Sequence, residues 1–412
     1  MRITRKLSLA SAGVWLAATA LCQSLPVANR PEDVGFSSQR LASVRQQMTA
    51  DVQGGRIPGA VLLIARNGKI AWRDAVGFQE RKSQTPMRND SIFRIASMTK
   101  PITTVAAMIL AEEGKLDVGA PVAQYLPEFK DVQVGVEHAA PKRAMTVQDL
   151  MRHTSGLTYG IFGNSPVDEL YKKSNFFQSK SLAEMVSTIA HLPLAHQPGE
   201  FWEYSVSTDV LGRIVEVVGG MDLDRFIAAR ITGPLKMADS GFHLDGSQAA
   251  RLAHPDSGIP FEPTKKPAIL SGGGAMLSTA GDYVRFCQMM LNGGELDGVR
   301  ILAPKTVALM TADQLPPLTE RHTSVATMLD NFGPTPEMGT SFGLGFAVRT
   351  AAGRNPAPGS VGDFSWAGIY GTYFWVDPKE KLAAVLMIQV PMATNVPYWR
   401  QTRMLVYQAL MD

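Results

Sequence analysis

This chain of 412 residues contains only two cysteines, and its positive and negative charges nearly balance. Cys22 lies close to the N-terminus and Cys287 lies in a helical pattern, so we expect no structural disulfide. The formal net charge is +3, and three basic residues in the first six positions account for that excess. No basic patch remains that would bind the phosphates of a nucleic acid, which excludes that class of partner.

The N-terminus has the pattern of a secretory signal. Its basic residues precede an apolar run over residues 7–21, and residues 18–20 (Ala-Thr-Ala) supply the small side chains of a cleavage site. The run is too short for a comfortable membrane span, and the bulky Leu21 disfavours a lipid anchor at Cys22. We therefore predict a signal peptide over residues 1–20, a periplasmic or secreted protein, and no stable membrane anchor after cleavage.

Strand patterns lie at both ends of the mature chain. Residues 60–64 and 70–76 flank Asn67-Gly68, which is a strong hairpin signal. Strand-like runs return near the C-terminus, over residues 343–348, 364–367, 370–376 and 382–390. The segment between them is mainly helical, with capping patterns at Thr146 and Ser181.

This order predicts an α/β fold of the α+β type. A central antiparallel sheet would be built from both chain ends and flanked by helices, and a mainly helical lobe would be inserted into it. We place the sheet lobe at residues 31–115 and 265–412 and the helical lobe at residues 116–264. The cleft between the two lobes is the expected place for a site.

Several common catalytic patterns are absent or stand in the wrong context. The seven histidines include no H-E-x-x-H pattern, and no two are four residues apart, so we predict no metal site. The glycine-rich residues 271–274 lack the lysine of a phosphate-binding loop, and we predict no cofactor. Ser341 lies in a G-x-S-x-G pattern, but a strand-like run follows it where a nucleophile elbow needs a helix. His153 is interpreted as a hydrogen-bonded structural residue.

Ser97 and Lys100 form the only S-x-x-K pattern in the chain. Pro101 follows directly, which indicates the first turn of a helix, where a missing N–H costs little. Residues three apart at a helix start share a face, so the lysine amine can approach the serine hydroxyl. A lysine whose pKa is lowered by desolvation can activate a serine as a nucleophile.

Two later segments give this pattern a context. Tyr204 precedes a helical pattern in the sequence Tyr-Ser-Val, and Trp366 and Gly368 lie in Trp-Ala-Gly-Ile on a predicted strand. The order S-x-x-K, Y-S-x and W-x-G resembles the serine β-lactamase and penicillin-binding superfamily, in particular its class C-like esterase branch, the family VIII carboxylesterases. The resemblance covers about residues 31–411.

The resemblance implies the following roles. Ser97 would be the nucleophile, and Lys100 and Tyr204 would form the proton-transfer pair. The backbone N–H groups of Ser97 and Ile369 would form the oxyanion hole. The candidates for substrate contact are Trp366, Gly368, Val206 and Tyr159.

Two departures from the penicillin-hydrolysing pattern point to the substrate. Val206 stands where those relatives usually carry asparagine, and Trp366 stands where they carry lysine, so groups that bind an amide and an anion are lost. We therefore expect a serine hydrolase that cleaves short- to medium-chain carboxylic esters, with a small-molecule ester as partner. A β-lactamase, a D-amino-peptidase or an acyltransferase of the same fold remains an alternative, and a non-catalytic cell-wall or ligand-binding module is a remote one.

Overall fold

The computed structural model describes residues 24–255, 262–321, 333–390 and 395–411. The predicted signal peptide and Cys22 lie outside these residues. Within them, no helix combines the length and apolar character needed to cross a membrane.

An antiparallel sheet of eight strands forms the centre of the fold. Its strands are β1 (Gly59–Arg66), β2 (Lys69–Glu80), β3 (Thr85–Pro86), β8 (Thr340–Phe342), β9 (Ala347–Arg349), β10 (Phe364–Ala367), β11 (Tyr373–Asp377) and β12 (Leu382–Ile388). They lie side by side in the order β3-β2-β1-β12-β11-β10-β9-β8. Two small ladders pair β4 (Phe93–Arg94) with β5 (Leu277–Ser278) and β6 (Glu295–Leu296) with β7 (Val299–Arg300). The pairing of β1 with β12 joins the two chain ends, and the predicted fold class is confirmed.

The α-helices flank the sheet or fill the segment between its two halves. They are α1 (Ser38–Gln53), α2 (Thr99–Glu112), α3 (Val147–Met151), α4 (Pro166–Ser174), α5 (Leu182–Ala190), α6 (Ser207–Gly219), α7 (Leu223–Ile227), α8 (Gly246–Ala249), α9 (Ala280–Leu291), α10 (Pro304–Met310) and α11 (Asn395–Tyr407). Short 3-10 turns include Ala96–Met98, which leads directly into α2.

The two faces of the sheet are buried in different ways. Leu62 and Ile64 of β1 belong to a core shared with the terminal helices α1 and α11. Val61 and Leu63, which point to the opposite face because successive side chains alternate, belong to a second core. That core is continuous with α2, α9 and the inserted helices. The sheet is therefore covered on both sides, and α2 links it to the helical segment. The lobe boundaries stay a prediction.

Local sequence signals explain most element ends. Asn67 and Gly68 both have positive φ, 54° and 76°, as the predicted hairpin turn requires. Thr146 and Asp149 form a reciprocal capping box at α3. The Ser181 side chain accepts the N–H of Glu184 at the start of α5.

Two C-terminal strand predictions need correction. Residues 343–348 do not form one strand, because Gly345 (φ 86°) turns the chain between β8 and β9. The strand predicted over 370–376 begins only at Tyr373, after a turn at Gly371 (φ 99°). The last helix begins at Asn395 and ends at Tyr407, and Leu410 then bridges to Phe36.

Asp149 gives a prediction about stability and pH. Burial alone would raise the pKa of this carboxyl, but hydrogen bonds from Arg143, the Thr146 N–H and Thr154 outweigh burial and lower the pKa to about 2. A depressed folded-state pKa contributes stability above the unfolded value near 4, and this stability is lost as pH falls toward 2. We expect wild type to lose about 1 kcal/mol more than Asp149→Asn between pH 6 and pH 3.

Urea unfolding of both proteins at the two pH values measures this difference. The matched control is Asp131→Asn, which changes an exposed carboxylate and should follow wild type. Equal losses for wild type and Asp149→Asn would contradict the assignment.

Candidate active site

Ser97 lies in a constrained turn at the start of α2. It is partly exposed, whereas its neighbours Ala96 and Met98 are buried. Ala96 has a φ of 44°, which is uncommon for a residue other than glycine and marks local backbone strain. Hydrogen bonds hold the turn on both sides, from the Thr372 hydroxyl to the Ile95 carbonyl (3.1 Å) and from the Tyr283 hydroxyl to the Met98 carbonyl (2.8 Å). The serine hydroxyl is thus presented from a fixed backbone.

Lys100 is buried beside Ser97, with only 1% of its surface exposed. Its amine contacts the Ser97 hydroxyl at 3.2 Å, the Tyr159 hydroxyl at 3.0 Å and the Gly273 carbonyl at 2.7 Å. An ammonium group has three N–H donors, and these three oxygens match that number. A neutral amine also fits, because the Ser97 hydroxyl can donate to its lone pair while the other two oxygens accept. The site therefore accommodates both protonation states of the lysine.

Two tyrosines flank the amine in different ways. Tyr159 is hydrogen-bonded to Lys100, whereas the Lys100 nitrogen lies 4.6 Å from the centre of the Tyr204 ring. Within the described residues, no hydrogen bond joins the Tyr204 hydroxyl to Lys100 or Ser97. Burial, and after it the negative charge of Asp209, raise the pKa of Tyr159 well above its ordinary value. Tyr159 is therefore a protonated phenol at neutral pH, and its contact with the lysine was not anticipated from the sequence.

His153 packs behind Tyr204, with 4.9 Å between ring centres. Its Nδ1 accepts the N–H of Ser205 at 3.3 Å. Burial, and then the charge of Lys100, lower the pKa of His153 well below its ordinary value, so the imidazole is neutral. The histidine is hydrogen-bonded, as the sequence analysis expected.

The end of β10 borders the serine turn. A Cβ on Gly368 would lie 2.5 Å from the Ile95 carbonyl oxygen, so a glycine is needed there for the strand to approach the turn. The Trp366 side chain is buried, and its ring packs 5.4 Å from Tyr204 and 5.2 Å from Phe342. Ile369 is 40% exposed.

The predicted substrate contacts differ in their access to solvent. The Val206 side chain is completely buried at the start of α6, and Trp366 is nearly so. Tyr159 is only partly buried, and Gly368 and Ile369 follow β10 at the serine turn. The oxyanion hole formed by the Ser97 and Ile369 N–H groups stays a prediction.

The rejected patterns also have defined places. Ser341 lies on β8, is buried, and donates its hydroxyl to Asp313, so its G-x-S-x-G pattern forms no nucleophile elbow. Across the described ranges, no group of three or more histidine, cysteine, aspartate or glutamate residues could hold a metal ion. Cys287 is buried in α9, and burial raises its pKa well above the ordinary value.

Asp209 and the segment 271–274 are site components that the sequence analysis missed. Asp209 is a fully buried carboxylate in the first turn of α6, and Gly273 supplies the carbonyl that binds Lys100. A carboxylate close to the start of a mainly apolar helical pattern was the available signal for Asp209. The contact between Gly273 and Lys100 joins residues 173 apart in sequence, and no local pattern reports such a contact.

Ser97 and Lys100 thus lie at the start of a buried helix, beside the end of β10. This is the arrangement that the sequence resemblance implies for a serine hydrolase of the penicillin-binding superfamily. The chain belongs to the β-lactamase family, whose model, described as Beta-lactamase, matches residues 44–405. The superfamily resemblance noted from the sequence is thereby confirmed.

Relatives link the chain to the esterase branch of this family. Protein Rv1367c of Mycobacterium tuberculosis is 36% identical over 370 residues, which cover 84% of this chain and 88% of that protein. Esterase EstB of Burkholderia gladioli is 30% identical over 375 residues, covering 83% and 87%. The solved structure of EstCE1, described as a hydrolase with promiscuous acyltransferase activity, superposes with a TM-score of 0.76 at 27% identity and covers 90% of this chain and 99% of that one. Members of this family are serine hydrolases or acyltransferases.

Proposed function

We propose that this protein is a carboxylesterase-type serine hydrolase that cleaves short- to medium-chain esters through an acyl-enzyme on Ser97. The observation that carries the proposal is the contact of the buried Lys100 amine with the Ser97 hydroxyl at 3.2 Å. The export signal predicted for residues 1–20 would place the activity in the periplasm or outside the cell.

The proposed first step is acylation. Ser97 Oγ attacks the ester carbonyl, and its proton moves to the neutral Lys100 amine. The carbonyl oxygen of the ester becomes an oxyanion that the backbone N–H groups of Ser97 and Ile369 would stabilise. The C–O bond then breaks, and the alcohol leaves with a proton delivered from Lys100 through Tyr204.

The second step is deacylation. A water molecule gives its proton to the same pair of residues and attacks the acyl carbonyl. The bond to Ser97 Oγ breaks, the serine regains its proton, and the carboxylic acid leaves. The proposed steps draw on no metal or cofactor.

Apolar surface beside the amine supports an apolar substrate. The Tyr159 ring packs against Phe162 (5.7 Å between ring centres) and stacks with Phe177 (6.4 Å, 15° between planes). Phe177 is 52% exposed and Ile161 is 58% exposed, so an aromatic and aliphatic wall continues from the site to the surface. Together with Val206 and Trp366 at the positions of the missing asparagine and lysine, this wall favours an ester over a β-lactam or a peptide carboxylate.

Acyl transfer to a second alcohol is the other candidate. EstCE1 supports it by its described promiscuous acyltransferase activity. The two reactions share the acyl-enzyme and differ only in whether water or an alcohol attacks it. The contact of Lys100 with Ser97 would serve a β-lactamase or a D-amino-peptidase equally well, so the preference for an ester rests on the apolar wall and on Val206 and Trp366.

A substrate panel tests the proposal. We expect p-nitrophenyl esters from acetate to decanoate to be hydrolysed, with kcat/KM highest at short to medium length and at least about 100-fold above that for the cephalosporin nitrocefin. Addition of an acceptor alcohol should divert part of the acyl group if transfer competes. Faster turnover of nitrocefin than of every ester would overturn the esterase assignment. Absence of turnover and of Ser97 labelling by a fluorophosphonate would overturn the enzyme assignment.

A further inference from the structure

The buried carboxylate of Asp209 is hydrogen-bonded to segment 271–274, which also binds Lys100. Asp209 Oδ1 accepts hydrogen bonds from the Ser271 hydroxyl and from the Gly273 N–H, the latter at 3.1 Å. The carbonyl of the same Gly273 accepts the Lys100 amine at 2.7 Å. The carboxylate and the amine are thus fixed through the N–H and the C=O of one residue.

The second carboxylate oxygen faces the same cluster. Asp209 Oδ2 is buried and has no hydrogen-bond partner among the described residues. A Cβ on Gly273 would lie 2.6 Å from Asp209 Oδ2 and 3.1 Å from the Tyr159 hydroxyl oxygen. Asp209 Oδ2 and the Tyr159 hydroxyl therefore border the same small space, which the missing side chain of Gly273 leaves open. A buried carboxylate oxygen without a hydrogen-bond donor needs a nearby cation. Burial raises the pKa of Asp209, and the charge of Lys100 is the largest opposing influence.

We propose that Asp209 is a positioning residue for the reaction, which holds the Gly273 carbonyl against Lys100 and stabilises the ammonium form of that lysine by its charge. The inference rests on the proposed function, because it takes Ser97 as the nucleophile and Lys100 as its base. The other titratable groups around the amine are Tyr159, Tyr204 and the neutral His153. Tyr159, whose pKa is raised, and the neutral His153 carry no negative charge at neutral pH, so Asp209 supplies the anion.

The test is the pH dependence of Ser97 labelling by a fluorophosphonate, measured beside kcat/KM for an ester. Asp209→Asn keeps the shape of the side chain and removes its charge. Without the anion, Lys100 loses its proton more readily, so the neutral base is available at lower pH. We expect the pH at which the labelling rate and kcat/KM reach half of their maxima, on the acidic limb of each profile, to fall by about one unit. A shift of this size is expected from the loss of one nearby charge in a partly desolvated site.

Two further variants separate charge from contact. Ser271→Ala keeps the carboxylate and removes one of its donors, so the limb should stay in place while the maximal rate falls about 3–10-fold. Asp282→Asn is the matched control, since one oxygen of this buried carboxylate also accepts an N–H and a serine hydroxyl, from Asp239 and Ser240. Its limb should coincide with that of wild type.

The outcomes are distinct. An unmoved limb in a folded Asp209→Asn protein overturns the electrostatic role, and an unchanged maximal rate in Ser271→Ala overturns the positioning role. If Asp209→Asn does not fold, Ser271→Ala decides. Labelling without ester turnover would contradict the proposed substrate class and leave this inference standing, whereas a wild type that is not labelled overturns both.

Discussion

Replacing Ser97 by alanine is expected to lower kcat on a p-nitrophenyl ester by at least about 10⁴-fold, because no acyl-enzyme can form without the hydroxyl. The substitution removes one oxygen from a partly exposed side chain, so the thermal midpoint should stay close to that of wild type. Steady-state kinetics, intact-protein mass after fluorophosphonate treatment and a thermal melt measure the three effects.

The matched control is Ser341→Ala. Ser341 is the serine of the G-x-S-x-G pattern, and its hydroxyl donates to Asp313. We expect a loss of about 1 kcal/mol in stability, with activity and labelling retained. If the Ser341 variant loses activity while Ser97→Ala keeps it, the nucleophile has been assigned to the wrong serine.

The second large effect is expected at Tyr204 and should exceed that at Tyr159. Tyr204→Phe should lower kcat by about 10²–10⁴-fold if its hydroxyl transfers the proton. Tyr159→Phe removes one of three partners of the Lys100 amine and should lower kcat only about tenfold, which is the lower end of the cost of one hydrogen bond to a charged group.

The physical reason for this order lies in the acidity of Tyr159. Its pKa is raised well above the ordinary value by burial and then by Asp209, which makes its proton hard to release. Among the residues that the structure describes, the Tyr204 hydroxyl makes no hydrogen bond to Ser97 or Lys100, but catalytic hydrogen bonds often form only with substrate bound. Comparison of kcat for the two phenylalanine variants, with thermal melts to confirm folding, decides between them. A larger loss for Tyr159→Phe would transfer the proton-relay role to Tyr159.

Local chemistry explains why much of the architecture could be predicted from the sequence. The Asn67-Gly68 turn, the capping box at Thr146 and the helix start at Ser97 each depend on residues within a few positions of one another. The same holds for the approach of Lys100 to Ser97, since both lie within one turn of the chain. Strand limits were less accurate around Gly345, because an alternating apolar pattern does not report a glycine with positive φ.

The remaining partners of the lysine depend on distant parts of the chain. Tyr159 lies 59 residues beyond Lys100, and Gly273 lies 173 residues beyond it. The packing of α2 against α6 and of segment 271–274 against both brings these groups together. Asp209 acquires its place in the site only through this packing, which buries its carboxylate beside the amine.

The sequence by itself indicated Ser97 as the candidate nucleophile, Lys100 as its neighbour and a sheet built from both chain ends, because each follows from residue order and local backbone preference. Only the tertiary structure decided which tyrosine hydroxyl and which carbonyl are hydrogen-bonded to the Lys100 amine, and which buried carboxylate binds the same segment as that amine. The physical reason is that an amine buried at 1% exposure must find its hydrogen-bond and charge partners among whatever groups the fold places around it.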